Sequence, residues 1–99
     1  MVYVIFSVPN EKRNKIREVL KDDLISRQSI NTRDAGALKI EKEVQFVLIE
    51  GDEKALDHAK ELFKEIGSIE EGKLAEDIYS KFKDDEKEAA AGVGFIFGD

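Results

Sequence analysis

Two strongly apolar segments constrain the fold of this chain more than any other feature. Residues 2–6 read VYVIF and residues 44–49 read VQFVLI. Such runs, rich in β-branched and aromatic side chains, are typical of strands that lie centrally in a sheet or are covered on both faces. We therefore expect a sheet with these two strands at its centre and helices packed on one face.

Helical spacing of apolar residues predicts two helices around the second of these strands. The first helix is expected over about 11–25, with Asn10 as its N-cap. The second is expected over 53–66, after the N-cap Asp52, and its apolar positions form a continuous stripe. Gly67 follows this helix directly, at the position where a left-handed residue commonly ends a helix.

The C-terminal third predicts one more helix and a closing strand. Apolar residues four apart indicate a helix over about 73–90. The apolar stretch 93–97 then reads as a strand, which places Phe95 or Phe97 in the core. Gly94 within it is expected to admit a bulge or a closely approaching backbone.

The remaining segments are more polar. Residues 26–33, SRQSINTR, predict an edge strand, and residues 34–36 predict a turn. For residues 37–42 the pattern leaves a helical turn and a strand both open. Ile69, in the connector after the second helix, is compatible with one more strand pair.

The expected element order is β-α-β-β-α-α-β, in one domain over residues 1–99. This is an α+β chain with a mainly antiparallel sheet of four to five strands and three helices. The pattern resembles the ferredoxin-like α/β sandwich, and EVQFVLIEGDEKALDHAKELFKEIG resembles the strand–helix half of small archaeal domains of the ACT-like kind. The resemblance implies central first and third strands and an edge second strand, and it assigns no functional residue.

The amino-acid composition limits the cellular compartment that we expect and the kinds of site that the chain can form. The chain has no cysteine, which excludes disulfides, thiolate metal sites and thiol nucleophiles. Charged residues make up 38 % of the chain, mostly Lys and Glu, which is typical of thermophile proteins and predicts a thermophilic, archaeal source. No stretch approaches the roughly 18 apolar residues of a membrane span, and no basic segment precedes the first apolar run. A cytoplasmic protein is expected.

The sequence contains no catalytic constellation. Its single histidine, His58, lies on the helix predicted over 53–66 but off the apolar stripe, which favours a solvent-facing side chain. No serine has the G-x-S-x-G setting, and no lysine lies within an apolar run. We therefore expect a non-enzymatic protein.

An acidic run near residue 85 is a candidate cation site. Its carboxylates suit Ca²⁺ or Mg²⁺, weakly bound, and no other cofactor is expected. The EF-hand pattern is absent, so the competing interpretation is a solvated helix end balanced by neighbouring lysines. The candidate ligands are Asp84, Asp85, Glu86 and Glu88.

The arginines are candidates for binding a partner or an anion, because all four lie in the first third of the chain. The polar strand predicted over 26–33 is also suited to pairing with another chain, so a homo-oligomer or a protein partner is expected. No membrane partner is expected. The four candidates are Arg13, Arg17, Arg27 and Arg33.

Nucleic acid is disfavoured by the net charge of −6. Tyr3 and Phe46 lie on the two apolar strands, where RNA-recognition motifs place base-stacking aromatics, but the rest of that signature is missing. The competing interpretation is that both are core or sheet-face residues. Our first hypothesis is a non-enzymatic small domain for protein interaction or ligand sensing, the alternative is an acidic divalent-cation binder, and the third is an RNA-contacting module.

Overall fold

The computed structural model describes the backbone of residues 2–97 and the side chains of residues 2–85. Over this range the chain is α+β. Its strands are β1 (Val2–Pro9), β2 (Ser29–Asp34), β3 (Val44–Gly51) and β4 (Ser68–Glu70). Its α-helices are α1 (Ile16–Leu20), α2 (Asp23–Ser26), α3 (Glu53–Phe63) and α4 (Gly72–Phe97). Two 3-10 segments, Asn10–Lys15 and Ala35–Leu38, join them.

The four strands form one antiparallel sheet in the order β2-β3-β1-β4. The two apolar segments are its central strands, as predicted, and the polar segment is an edge strand. This arrangement is consistent with a ferredoxin-like sandwich, in which a split β-α-β unit places the first and third strands side by side.

The apolar residues of β1 and β3 alternate between two buried faces. β1 and β3 are paired along their whole length, from Val2 opposite Gly51 to Pro9 opposite Val44. Successive side chains therefore enter two separate cores. The first core lies under α1, α2 and α3 and contains Val4, Phe6, Val8, Ile16, Ile25, Val47, Ile49, Leu56, Ala59, Phe63 and Ile66. The second core lies under α4 and contains Ile5, Ala35, Leu38, Phe46, Leu48, Ile78 and Phe82.

The first predicted helix, 11–25, is interrupted. The chain forms a 3-10 segment, then α1, and then starts again as α2. The break comes at Asp22, whose Oδ1 accepts hydrogen bonds from the backbone N–H groups of Leu24 and Ile25, at 3.0 and 3.2 Å. A side chain that satisfies these donors favours a new helix start over continuation of the old helix.

The helix predicted over 53–66 is confirmed as α3, with Ala55, Leu56, Ala59 and Phe63 buried. Gly67, however, is not left-handed, so that part of the prediction is wrong. The position requires glycine for a different reason, because a Cβ atom here would collide with the carbonyl oxygen of Ser7.

The closing strand predicted over 93–97 is wrong, because α4 continues as helix to Phe97. The fourth strand is instead the connector β4, in which Ile69 pairs with Phe6 of β1. The sequence predicts that either Phe95 or Phe97 is a core residue. The side chains of both lie outside the described range. The sequence pattern places helices on one face of the sheet and leaves the third helix or a second copy as cover for the other; in the structure the third predicted helix, α4, covers the second face.

Of the two alternatives for residues 37–42, the structure agrees with the helical turn and has no strand there. Ala35–Leu38 forms a 3-10 turn that buries Ala35 and Leu38 under α4. Lys39 ends the turn in the left-handed region, with φ of 62°. Among the helices described, none combines the length and apolarity required to cross a bilayer.

Candidate functional site

Two of the four candidate arginines share a cleft between the start of α1 and the edge strand β2. Arg13 lies on the 3-10 segment and Arg17 one turn later on α1, so both side chains reach the same side. The cleft has a volume of about 500 Å³. We call it the arginine cleft; it is lined by Arg13, Asn14, Ile16, Arg17, Leu20, Thr32 and Gln45.

The floor of the arginine cleft is polar because the sheet changes character there. Away from the cleft, the side of β2 and β3 that faces α1 carries the apolar residues Ile30, Val47 and Ile49. Near the cleft the same side carries Thr32 and Gln45, both only half-buried. A hydroxyl and an amide thus replace two apolar side chains and offer hydrogen-bonding groups to a ligand.

The backbone holds the cleft in place at both ends of the 3-10 segment. Pro9 precedes it with φ of −54° and ψ of 141°, which turns the chain out of β1. The N–H of Asn10 then donates to the carbonyl of Glu43 at 3.1 Å, just before β3. Buried Ile16 anchors the start of α1 in the first core. Arg13 is therefore positioned by a tethered segment.

Neither guanidinium of the cleft has a hydrogen-bond or ion-pair partner among the residues whose side chains are described. This is unusual in a chain with a net charge of −6, where carboxylates outnumber cations. Two unpaired guanidinium groups on one cleft form a site of positive potential suited to a carboxylate or a phosphate.

The other two candidate arginines lie elsewhere, so the four do not form one patch. Arg27, at the end of α2, pairs with Asp23 at 3.1 Å, and both side chains are largely exposed. Arg33 is on the opposite face of the sheet, where its Nε donates to Asp85 of α4 at 2.7 Å. Its Nη1 also donates to the carbonyl of Thr32 at 2.7 Å.

The acidic run does not form a metal centre in the described part of the chain. Asp85 is engaged by Arg33, and Asp84 lines a small cleft of about 180 Å³ with Lys39 and Lys81. Within the described residues no group of three or more His, Asp or Glu side chains converges to hold a cation. The side chains of Glu86 and Glu88, the other two candidate ligands, lie outside the described range.

The two aromatics considered for base stacking are covered by α4. Phe46 is fully buried in the second core. Tyr3 stacks on Tyr79 of α4 with ring centroids 4.2 Å apart. Both are therefore core or sheet-face residues, and the sheet face that an RNA would contact is occupied by the chain's own helix.

A polar cluster not anticipated from the sequence holds α4 on the sheet. Glu50 of β3 accepts hydrogen bonds from Lys83 at 2.7 Å and from Tyr79 at 2.9 Å. Burial raises the pKa of Glu50, but the two hydrogen bonds outweigh burial and hold the pKa below its ordinary value. The same hydrogen bond to Glu50 raises the pKa of Tyr79, and burial adds to the effect. Because every polar tip faces a partner, the cluster is structural.

His58 is half-buried rather than purely solvent-facing. Its Nε2 lies 2.9 Å from Oδ2 of Asp22, the carboxylate that caps α2. The hydrogen bond from His58, followed by that from the Ile25 amide, lowers the pKa of Asp22. The contact ties α3 to the start of α2.

Sequence reasoning identified Arg13 and Arg17 but missed Thr32 and Gln45. The available signal was the alternation of β2 and β3: each residue interrupts the apolar face of its strand at the same end of the sheet. Comparison with protein-family models, with curated proteins and with solved structures gives no significant match.

Proposed function

We propose that this chain is a small non-enzymatic domain that senses an anionic ligand in the arginine cleft. The observation that carries the proposal is a pair of guanidinium groups, Arg13 and Arg17, that share one cleft of about 500 Å³ and have no partner among the described side chains. Guanidinium groups recognise carboxylates and phosphates through paired hydrogen bonds. The hydroxyl of Thr32 and the amide of Gln45 are positioned to bind the remaining polar atoms of such a ligand.

Binding is favoured over catalysis by what lines the cleft. Its residues include no carboxylate and no histidine. A general acid or base within reach of the reacting group is the usual requirement for acid–base chemistry. Half-buried Leu20 and buried Ile16 add an apolar wall, so the best-fitting ligand is a small molecule with an anionic end and an apolar body.

We also propose that the fold belongs with the ferredoxin-like, ACT-like sandwiches. The sheet order β2-β3-β1-β4 supports this assignment, and so do the connections, which run through helices after β1 and after β3. α4 is an addition to that core arrangement.

The test is an NMR titration of the protein with inorganic phosphate and with citrate at low ionic strength. We expect amide shifts at residues 13–17, Thr32 and Gln45. Arg17→Gln is expected to weaken binding on the order of tenfold, because it removes one charged hydrogen-bonding group from the site. Arg13→Gln should have a similar effect.

Arg27→Gln is the matched control. It removes the same charge from an exposed arginine that already pairs with Asp23. If Arg27→Gln weakens binding as much as Arg17→Gln, the anion responds only to overall charge and the proposal fails. It also fails if saturating phosphate and citrate leave the amides of the cleft unshifted.

A further inference from the structure

The second edge of the sheet, at β4, leaves part of β1 without a neighbouring strand on that side. β4 has only three residues and pairs with Ile5–Ser7, although β1 extends over eight residues. At the β2 edge, in contrast, the Thr32 carbonyl already accepts a hydrogen bond from Arg33, which Asp85 holds. Unpaired backbone at a sheet edge is a template for another strand.

A groove beside β4, on the side of α3, combines apolar side chains with the charged residues Lys60, Glu61 and Lys64. It has a volume of about 380 Å³, and its inner wall is the stacked pair Phe6 and Phe63, with ring centroids 4.2 Å apart. Ile69 of β4 lines the same groove and leaves 37 % of its surface exposed. A strand added at this edge would place every second side chain on the same side of the sheet as Ile69.

The other side of the same edge is acidic. Glu70 lies opposite Ile5 and therefore points to the α4 side of the sheet. Together with Glu71 and Glu76 it lines a cleft of about 450 Å³, whose lining also includes Lys60, so carboxylates outnumber cations there. None of these three carboxylates has an ion-pair partner among the described side chains. The edge thus has one side with apolar contacts and one side with an excess of negative charge.

This asymmetry selects the occupant. A second copy paired antiparallel through β4 would place Glu70, Glu71 and Glu76 beside the same three residues of its partner, because a two-fold axis brings like faces together. Like charges set against each other disfavour that complex. A strand of another protein that carries positive charge on this side meets no such repulsion.

We propose that β4 is a docking edge for an extended segment of another protein, in which apolar residues alternate with Lys or Arg. The segment adds to the sheet as a fifth strand. Its apolar side chains enter the groove beside Ile69, and its basic side chains face Glu70 and Glu76. Main-chain hydrogen bonds supply affinity in this mode, and alternate side chains supply specificity.

The test uses labelled nine-residue peptides and fluorescence anisotropy. The probe alternates Val and Lys. One comparison peptide alternates Val and Glu, and another has the composition of the probe with its valines grouped together. We expect the alternating Val–Lys peptide to bind on the order of tenfold more tightly than either. If the peptide with grouped valines binds as tightly as the alternating probe, binding depends only on net charge and the proposal is overturned.

Variants locate the site. Ile69→Lys places a cation in the groove beside β4 and is expected to abolish the preference for the alternating probe. Leu24→Lys is the matched control, since Leu24 is 39 % exposed on α2, away from β4. Equal effects of the two substitutions would overturn the proposal.

A second variant keeps the test valid if Ile69→Lys lowers the melting temperature below the assay range. The double substitution Glu70→Gln/Glu76→Gln, at one half-buried and one exposed carboxylate, is expected to weaken binding of the probe several-fold and to reduce the salt dependence of binding. Unchanged binding in this double variant contradicts the assignment. Sedimentation of the protein alone is the final check, because a dimer that Ile69→Lys dissociates would assign the edge to a second copy instead.

Discussion

At the scale of single residues, Gly67 shows how close two parts of the chain approach. A Cβ atom at this position would collide with the Ser7 carbonyl oxygen and lie 3.0 Å from Cγ2 of Val8. Neither neighbour can retreat easily, because both are in β1 and pair with β3. We expect Gly67→Ala to lower the free energy of unfolding by about 1–3 kcal/mol, measured by urea denaturation.

Gly36→Ala is the control for this prediction. Gly36 lies in the 3-10 turn between β2 and β3, and an added Cβ there meets no atom within 4 Å. Its stability should stay within about 0.5 kcal/mol of the wild type. If the two substitutions have equal effects, the loss at Gly67 comes from the general removal of glycine and not from the contact with Ser7.

The residues of the candidate site were only partly predictable from sequence. Arg13 and Arg17 stand one helical turn apart, which the sequence shows directly. Thr32 and Gln45 join them only because antiparallel pairing places Thr32 opposite Val47, two residues from Gln45. That pairing is a long-range property, and a local pattern does not reveal it. The same applies to Arg33, whose partner Asp85 is 52 residues away.

At the scale of elements, the Glu50 cluster fastens α4 to the sheet. The side chain of Glu50 is 11 % exposed and that of Lys83 is 34 % exposed, so their contact is only partly screened by water. Glu50→Gln removes the charge while keeping an acceptor for Tyr79. We expect it to cost about 0.5–1.5 kcal/mol at pH 7 in urea denaturation.

The pH dependence of this cluster follows from two shifts of opposite direction. The pKa of Glu50 is lowered, so its contribution is present above the ordinary value of 4.5 and is lost as pH falls through the lowered pKa. The pKa of Tyr79 is raised, so its contribution is present below 10.0 and is lost as pH rises through the raised pKa. The difference between wild type and Glu50→Gln should therefore shrink below pH 4.5.

Glu43→Gln serves as the control, because Glu43 is exposed and its carboxylate has no partner among the described side chains. Its stability should follow that of the wild type across the pH range. A constant difference between wild type and Glu50→Gln from pH 7 to pH 3 would contradict the assigned role of the Glu50 charge.

Element boundaries were harder to predict than element types. The apolar stripe of α3 is long and regular, and it was found correctly. The interruption at Asp22 was missed because its neighbours Leu24 and Ile25 continue the helical spacing. The strand predicted over 93–97 was wrong because a short apolar run is compatible with both a strand and a helix. The fourth strand of the sheet is β4 instead.

At the scale of the whole molecule, the sheet is shared by two cores. The strongly apolar runs of β1 and β3 already indicated two cores, because strands with apolar residues at successive positions need cover on both faces. The sequence pattern left the third helix or a second copy as cover for the second face. α4 provides that cover by burying Phe82 and Ile78 against the second face.

Substitutions in the two cores are expected to have different effects on unfolding. Phe82 on α4 and Phe63 on α3 are both buried, with 0 % and 1 % exposure, so Phe82→Ala and Phe63→Ala remove matched side chains. Each should cost about 3–5 kcal/mol in urea denaturation. α4 follows β4 and contributes no strand, so loss of Phe82 can release the helix while the sheet and α3 remain.

Native-state hydrogen exchange distinguishes these outcomes. In Phe82→Ala we expect amides 75–82 of α4 to exchange at least about tenfold faster relative to those of α3 than in the wild type, because local opening now needs less free energy than global unfolding. In Phe63→Ala, which weakens the core shared by α3 and the sheet, both helices should lose protection together, since α4 has no platform without the sheet. Equal loss of protection in α3 and α4 in both variants would show that α4 and the sheet unfold only as one cooperative unit.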